Sequence, residues 1–299
     1  MTARCVRSIS IGLVGLLAGY LAAPALAGDP EDVFDDLYGA ELVEVRKTTD
    51  TDADDIALGW AMVRDAELSA GSPALTTLLC NGAFDLAGRT DPDEDLMVTA
   101  MTLLATSNPA EAPAAWARLA AHWESRYRKA RGESRDHIAR RWIGVLRIQA
   151  TAAVAEGQWA QAAEHLDVAM TLAQEADTAL IPDLRVELTR AETRAQALET
   201  IADHLARLDE GPEDKVLRRE VVLLYLLAMD DPTSAMTHLS RSSDLFMQTY
   251  VPLAKTSPEE VSAQVARELL TWYRQVSEGA PLVDTYAMLE RRAAYLQCV

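Results

Sequence analysis

Apolar residues recur three and four positions apart along most of the chain, which is the period of amphipathic α-helices. Gly, Pro, Asn and Asp interrupt this pattern at short intervals, where turns between helices are expected. The pattern predicts helices over 54–69, 73–88, 92–106, 110–130, 134–156, 159–175, 179–208, 213–229, 233–240, 243–254, 258–277 and 282–297. A break near Ala195 would divide the longest of these. Because short turns join successive helices, we predict an all-α fold of stacked antiparallel helix hairpins.

The acidic segment 28–53 precedes these helices and contains one short predicted helix. Asp29 can cap this helix, with Pro30 in its first position, and Gly39 would end it. The stretch that follows, 41–55, is predicted to be extended and then to cap the next helix.

Three aspartates in the same region, Asp50, Asp52 and Asp54, have the spacing of the first ligands of a calcium-binding loop. Such a loop also needs Gly at its sixth position and Glu at its twelfth. This chain has Asp55 and Ala61 at those positions. We therefore interpret the acidic run as the capped start of a helix, where carboxylates favour the positive end of the dipole.

The clearest helix hairpin runs from Trp142 to Gln174. Its first helix ends at Gly157, which accepts the left-handed conformation that a tight turn between helices needs. Its second helix carries apolar or small residues at helical spacing, namely Trp159, Ala162, Ala163, Leu166 and Ala169. The pattern predicts a packing unit and contains no catalytic motif.

This hairpin resembles one repeat of the tetratricopeptide (TPR) family. In that family a Gly, an aromatic residue and a small residue mark the turn and the closest crossing of two helices; here they are Gly157, Trp159 and Ala162. Leu166 and Ala169 would be later packing positions. The chain as a whole resembles degenerate TPR-like proteins that bacteria export. The resemblance implies a TPR-like α-solenoid over 54–299.

A second, weaker match covers Val221 to Leu239. Asp230 stands where the first unit has its turn Gly, Pro232 replaces the aromatic residue, and Ala235 corresponds to Ala162. The two units are 73 residues apart, close to two repeats of about 34 residues with a small insertion. The resemblance also implies ligand contacts on the inner face of the first helix of the clear repeat, at Gly144, Arg147, Thr151 and Val154.

Residues 1–27 have the layout of a secretory signal peptide. Arg4 and Arg7 precede an uncharged apolar run over 9–23, and an Ala-Leu-Ala sequence ends at Ala27, the small-residue pattern of a cleavage site. The run is shorter than the roughly 20 residues that a membrane span needs. We therefore expect cleavage after Ala27, export to the periplasm or outside the cell, and no stable membrane span in the mature chain.

The formal net charge of −18 argues against binding to nucleic acid or to anionic membranes, because both need a positive surface. One stretch differs: between positions 126 and 141 seven basic residues stand against Glu133 and Asp136. These are Arg126, Arg128, Lys129, Arg131, Arg135, Arg140 and Arg141. We interpret them as a docking surface for an acidic protein or for the chain's own segment 29–55; the alternative is a solvated surface of two helices.

Metal and cofactor chemistry has no sequence support. None of the five histidines has a second His or Cys at ligand spacing, and no phosphate-binding or dinucleotide-binding motif occurs, so we expect neither a metal nor a cofactor. Cys80 and Cys298 remain after export. They would be a buried thiol and a free terminal thiol, although an oxidising compartment also permits a disulfide between them.

These observations predict an exported, non-catalytic scaffold that binds another protein in the periplasm or cell envelope. Two alternatives stay open. The first is a helical enzyme that acts on envelope glycan through an acidic pair, and the second is a structural subunit of an oligomer. A carboxylate held in an apolar pocket would favour the enzyme.

Overall fold

The structure is a computed structural model, and it describes residues 29–45, 47, 53–69, 71–88, 93–239, 244–278, 280 and 282–297. These residues form α-helices joined by turns and short 3-10 or π-helical segments, and none of them lies in a β-strand. The predicted all-α class is confirmed for them. The expectations for the signal peptide, for Asp50 and Asp52, and for Cys298 concern residues outside the described part.

The described residues form two compact units, one ending at His122 and the other beginning at Trp123. The boundary lies inside a helix, and no sequence signal marks it. The first unit contains four helices and the first part of a fifth. They are α1 (Pro30–Val45), α2 (Ala53–Leu68), α3 (Pro73–Ala87), α4 (Glu94–Ser107) and α5 (Ala112–Lys129).

In the first unit, α2 packs along both α3 and α4. Gly59 permits the close approach of α4, because a Cβ atom at this position would lie 2.6 Å from Leu96 Cδ2. Cys80 of α3 is a free, fully buried thiol, and burial raises its pKa to about 12. This thiol is therefore protonated and unreactive at neutral pH.

The predicted end of α1 at Gly39 and the extended conformation predicted from residue 41 are wrong, because α1 continues to Val45. Tyr38, Leu42 and Val45 are all buried, and their spacing of four and three places them on one helical face. The Tyr38 hydroxyl also donates a hydrogen bond to Asp65 of α2 (2.5 Å). These contacts outweigh the cost of about 1 kcal/mol for a Gly inside a helix.

The second unit contains the end of α5 and eight further helices. They are α6 (Glu133–Ala155), α7 (Trp159–Ala176), α8 (Ile181–Glu210), α9 (Lys215–Leu223), α10 (Pro232–Thr237), α11 (Leu245–Ala254), α12 (Ala263–Ser277) and α13 (Thr285–Gln297). A π-helical turn, Leu224–Ala228, extends α9. The predicted break near Ala195 is absent, because α8 is continuous there. α6, α7 and the first part of α8 share one core cluster; α9 to α13 build another.

The turn between α6 and α7 has a specific hydrogen-bond pattern. Gly157 adopts φ +74°; its N–H donates to the Val154 carbonyl (3.0 Å), and the Gln158 N–H donates to the Ala153 carbonyl (2.8 Å). This is the Schellman arrangement that ends helices at a left-handed residue. The turn directs α7 back along α6, and Ala162 is fully buried between them.

Candidate functional site

Three cations of the basic stretch are neutralised by acidic residues of the second unit. Arg128 pairs with Glu124 one helical turn earlier. Arg135 donates to Glu175 at the end of α7 (3.1 Å) and to the Tyr127 hydroxyl (2.8 Å). The third pair has Arg140 Nε 3.4 Å from Asp177 Oδ2, just past the end of the same helix. The pairs of Arg135 and Arg140 join the first part of α6 to the end of α7.

Two cations at the turn between α5 and α6 are placed differently. Lys129 and Arg131 are exposed, and neither contacts a carboxylate among the residues that the structure describes. Arg131 instead donates to the Ala130 carbonyl (2.8 Å) at the C-terminal end of α5, where the helix dipole favours a cation. We call Lys129 and Arg131 the basic turn.

The two remaining members of the stretch are half-buried. The Arg126 guanidinium lies 5.9 Å from the centre of the Trp123 ring. Arg141 lies on α6 and also has contacts within the protein. The sequence-predicted patch therefore has two different parts, five arginines with contacts within the protein and an exposed basic turn.

The inner-face positions that the TPR resemblance implies do not form a shared polar site. Arg147 donates through both arms of its guanidinium to Glu187 of α8, with Nε 3.2 Å from Oε2. Gly144 and Thr151 are exposed, and Val154 packs at the edge of the core. Arg147, the one charged residue among these four positions, is therefore used to join α6 to α8.

A buried carboxylate joins α8 to the start of α13. Asp284 is 2% exposed, and its Oδ2 accepts hydrogen bonds from Arg190 Nε (3.0 Å) and Arg194 Nε (3.2 Å). Its backbone N–H donates to the Leu227 carbonyl of the π-helical turn (3.0 Å). Arg194 also lies over the Trp159 ring, 4.6 Å from its centre. Asp284 is thus held to α8 by charge-assisted hydrogen bonds and to the π-helical turn by its backbone.

Asp230 provides the second carboxylate of this region. It accepts a hydrogen bond from Arg291 Nε (2.7 Å), and Arg291 also donates to the Ala254 carbonyl (2.9 Å). Burial raises the pKa of Asp230 despite the opposing effect of Arg291. Because Asp230 and Asp284 are both engaged by arginines, this acidic pair fits a structural role better than the acid–base chemistry of the enzyme alternative.

An open groove between α11 and α12 was not found by sequence reasoning. It has a volume of about 330 Å³ and is lined by Phe246, Tyr250, Arg267, Glu268, Thr271, Trp272 and Gln275. Phe246 is 66% exposed although it is a large apolar residue. The available sequence signal was the spacing of Phe246 and Tyr250, four residues apart on a predicted helix, which places both on one face.

The described ranges contain neither a cluster of metal ligands nor a membrane-spanning helix. Within them no group of three or more His, Cys, Asp or Glu residues is arranged to hold a metal ion. No helix of this part combines the length and the apolar character that crossing a membrane requires.

Comparisons with known proteins give no match, so the function is argued from the geometry of this chain. No family model matches the chain, and neither a curated protein nor a solved structure matches it.

Proposed function

We propose that this chain is an exported, non-catalytic TPR-like scaffold that binds an acidic protein through the basic turn, Lys129 and Arg131. The proposal combines two parts, a helical-repeat architecture and a specific binding surface. The expected place of action is the periplasm or cell envelope, because the sequence begins with the pattern of a cleavable signal peptide.

The repeat architecture is supported by the correspondence between two hairpins. α6 and α7 turn at Gly157, and α9 with its π-helical turn leads to α10 through Asp230, which has φ +54°. Ala162 and Ala235 each follow their turn by five residues, and both are fully buried. Equivalent turns with equivalent buried small residues are expected of repeated helix hairpins that stack as an α-solenoid.

The observation that carries the binding function is the exposure of Lys129 and Arg131 without a carboxylate partner in the described residues. The chain has an excess of acidic residues, and Arg128, Arg135 and Arg140 are paired with such residues nearby. A pair of exposed cations in this context attracts an acidic surface of a partner and accelerates its association.

The test is capture of partners from an envelope extract by the purified chain at low and high salt. The double variant Lys129→Glu/Arg131→Glu should lose the bound acidic protein at low salt, because each reversal turns an attraction into a repulsion. The wild-type chain should lose the same protein as the salt concentration rises, since exposed charges are screened beyond about 10 Å at 0.1 M.

The matched control is Lys215→Glu/Arg219→Glu, which makes the same change in net charge at two exposed positions of α9. This variant should retain the partner. Equal capture by all three proteins, or a salt-independent interaction, contradicts the proposed role of the basic turn. N-terminal sequencing of the exported protein tests the location separately, with Gly28 as the expected first residue.

A further inference from the structure

The groove between α11 and α12 is separate from the basic turn and has its own chemistry. One wall is α11, whose buried residues Met247, Val251 and Ala254 face the core. Phe246 and Tyr250 lie on the other side of the same helix and line the groove. The groove volume of about 330 Å³ lies at the small end of the range of roughly 300–1,000 Å³ that is usual for small-ligand sites.

Three aromatic side chains form the apolar part of the groove. The rings of Phe246 and Tyr250 are parallel to within 6°, with centres 6.4 Å apart. The Tyr250 ring lies 5.3 Å from that of Trp272, at 30°. The centres of the parallel rings are 6.4 Å apart. A group inserted between them needs about 3.5 Å on each side, or about 7 Å in all, so it does not fit. A ligand therefore lies across these rings, not between them.

The polar part of the groove comes from α12 and has no net formal charge. Arg267 supplies hydrogen-bond donors only and Glu268 acceptors only, whereas Gln275 supplies both. Thr271 supplies an acceptor, because its hydroxyl already donates to the Arg267 carbonyl (3.0 Å). Arg267, Thr271 and Gln275 follow one another at intervals of four residues, so they form a row along one helical face. All four of these side chains belong to exposed residues.

We propose that this groove binds a neutral saccharide. A pyranose ring has an apolar C–H face, which fits an open aromatic surface, and a rim of hydroxyl groups that both donate and accept hydrogen bonds. The α12 row offers both kinds of partner. An apolar peptide side chain forms no hydrogen bonds with this row, so it gains less there than a ring that carries hydroxyl groups. A charged ligand gains from one of Arg267 and Glu268 and is repelled by the other.

The experiment is calorimetric titration of the purified chain with chitotetraose and cellotetraose, as neutral saccharide probes, and with a proline-rich decapeptide. At least one saccharide should bind, and its affinity should not change between low and high salt, because the ligand carries no charge. Phe246→Ala should weaken this binding by about tenfold, since it removes an exposed aromatic face. Tyr250→Ala should have a similar effect.

Leu245→Ala is the matched control. Leu245 is the neighbouring residue, is 76% exposed and does not line the groove, so its substitution should leave binding unchanged. Helical circular dichroism of each variant establishes that the fold is retained. The proposal is overturned if neither saccharide binds at millimolar concentration, if Leu245→Ala and Phe246→Ala have equal effects, or if the proline-rich peptide binds in place of the saccharides. Saccharide binding is expected to be independent of salt, whereas capture of the acidic protein by the basic turn is expected to depend on it. A failure of the groove proposal is therefore distinguishable from a failure of the basic-turn proposal.

Discussion

Gly157 and Asp230 each lie in the turn of a helix hairpin, 73 residues apart in sequence, and both have positive φ angles, +74° and +54°. Asp230 is the one non-glycine residue with positive φ in the described part of the chain. Aspartate tolerates this conformation better than most residues, because its short side chain can form local hydrogen bonds. In the second hairpin the π-helical turn adds one residue before the turn: the Asp231 N–H donates to the Tyr225 carbonyl, six residues earlier (2.8 Å).

The packing of the first hairpin can be tested at Ala162. This residue is fully buried where α6 and α7 contact each other, so Ala162→Arg must separate the helices or bury a charge. We expect a loss of about 2–4 kcal/mol in the free energy of unfolding. The measurement is urea unfolding followed by circular dichroism, with midpoints compared because a helical array need not unfold in two states.

The control for this substitution is Ala160→Arg. Ala160 lies two residues away and is exposed, so the same change should alter stability by less than about 0.5 kcal/mol. Equal losses at the two positions would show that the assigned helix faces are incorrect.

The conformation of the α6–α7 turn predicts opposite effects of two Gly→Ala substitutions. Apart from the adjacent residues and the local helix backbone, no atom lies within 4 Å of a Cβ placed at either Gly157 or Gly144, so neither substitution causes a clash with a packed neighbour. Gly157→Ala should destabilise the protein by about 1–2 kcal/mol, because an L-residue is unfavourable at φ +74°. Gly144→Ala, in the interior of α6, should stabilise it by roughly 0.5–1 kcal/mol. Thermal unfolding of both variants checks the signs; a stabilising Gly157→Ala would contradict the turn conformation.

The network around Asp284 should contribute strongly to stability. Asp284→Asn keeps the side-chain shape but removes the buried charge that Arg190 and Arg194 share. Breaking a buried ion pair in this way should cost about 3–5 kcal/mol in urea unfolding. Glu278→Gln serves as the comparison, since Glu278 pairs with Arg274 at the surface and exposed pairs contribute about 0–1 kcal/mol. Similar losses in the two variants would argue against a structural role for the network.

His238 should make stability depend on pH. Burial and, to a lesser extent, the nearby Arg218 lower the pKa of His238 in the folded protein, and its ring stacks on Tyr225 with centres 5.4 Å apart. The unfolded chain therefore binds a proton more readily. The resulting stability is present above the unfolded pKa of about 6.5 and is lost as pH falls below it. His238→Gln should reduce the difference in urea midpoint between about pH 7.5 and about pH 5.5; an unchanged difference would contradict this role.

Much of the local structure follows from the sequence by itself. Most helices begin and end within two residues of their predicted limits, because periodic apolar residues specify a helical face and Gly or Pro specifies an interruption. α12 and α13 begin five and three residues later than predicted, and α10 ends three residues earlier. In α1, which continues past its predicted end at Gly39, the stretch from Leu42 to Val45 also fits a helical face that includes Tyr38. Four residues are too short a window to separate the two periods. The buried position of Ala162 and the left-handed Gly157 likewise follow from a local pattern.

Only the tertiary structure decided which distant residues meet. Arg190 and Asp284 are 94 residues apart in sequence, and no local pattern indicates that they share an ion pair. The same holds for Phe246 and Trp272, whose helices form the two sides of the groove. Periodicity specifies which face of a helix is buried, but it does not specify which apolar face of another helix packs against it. The partner of each face is selected by the packing of all the helices of a unit together, which depends on side-chain shape and paired charge.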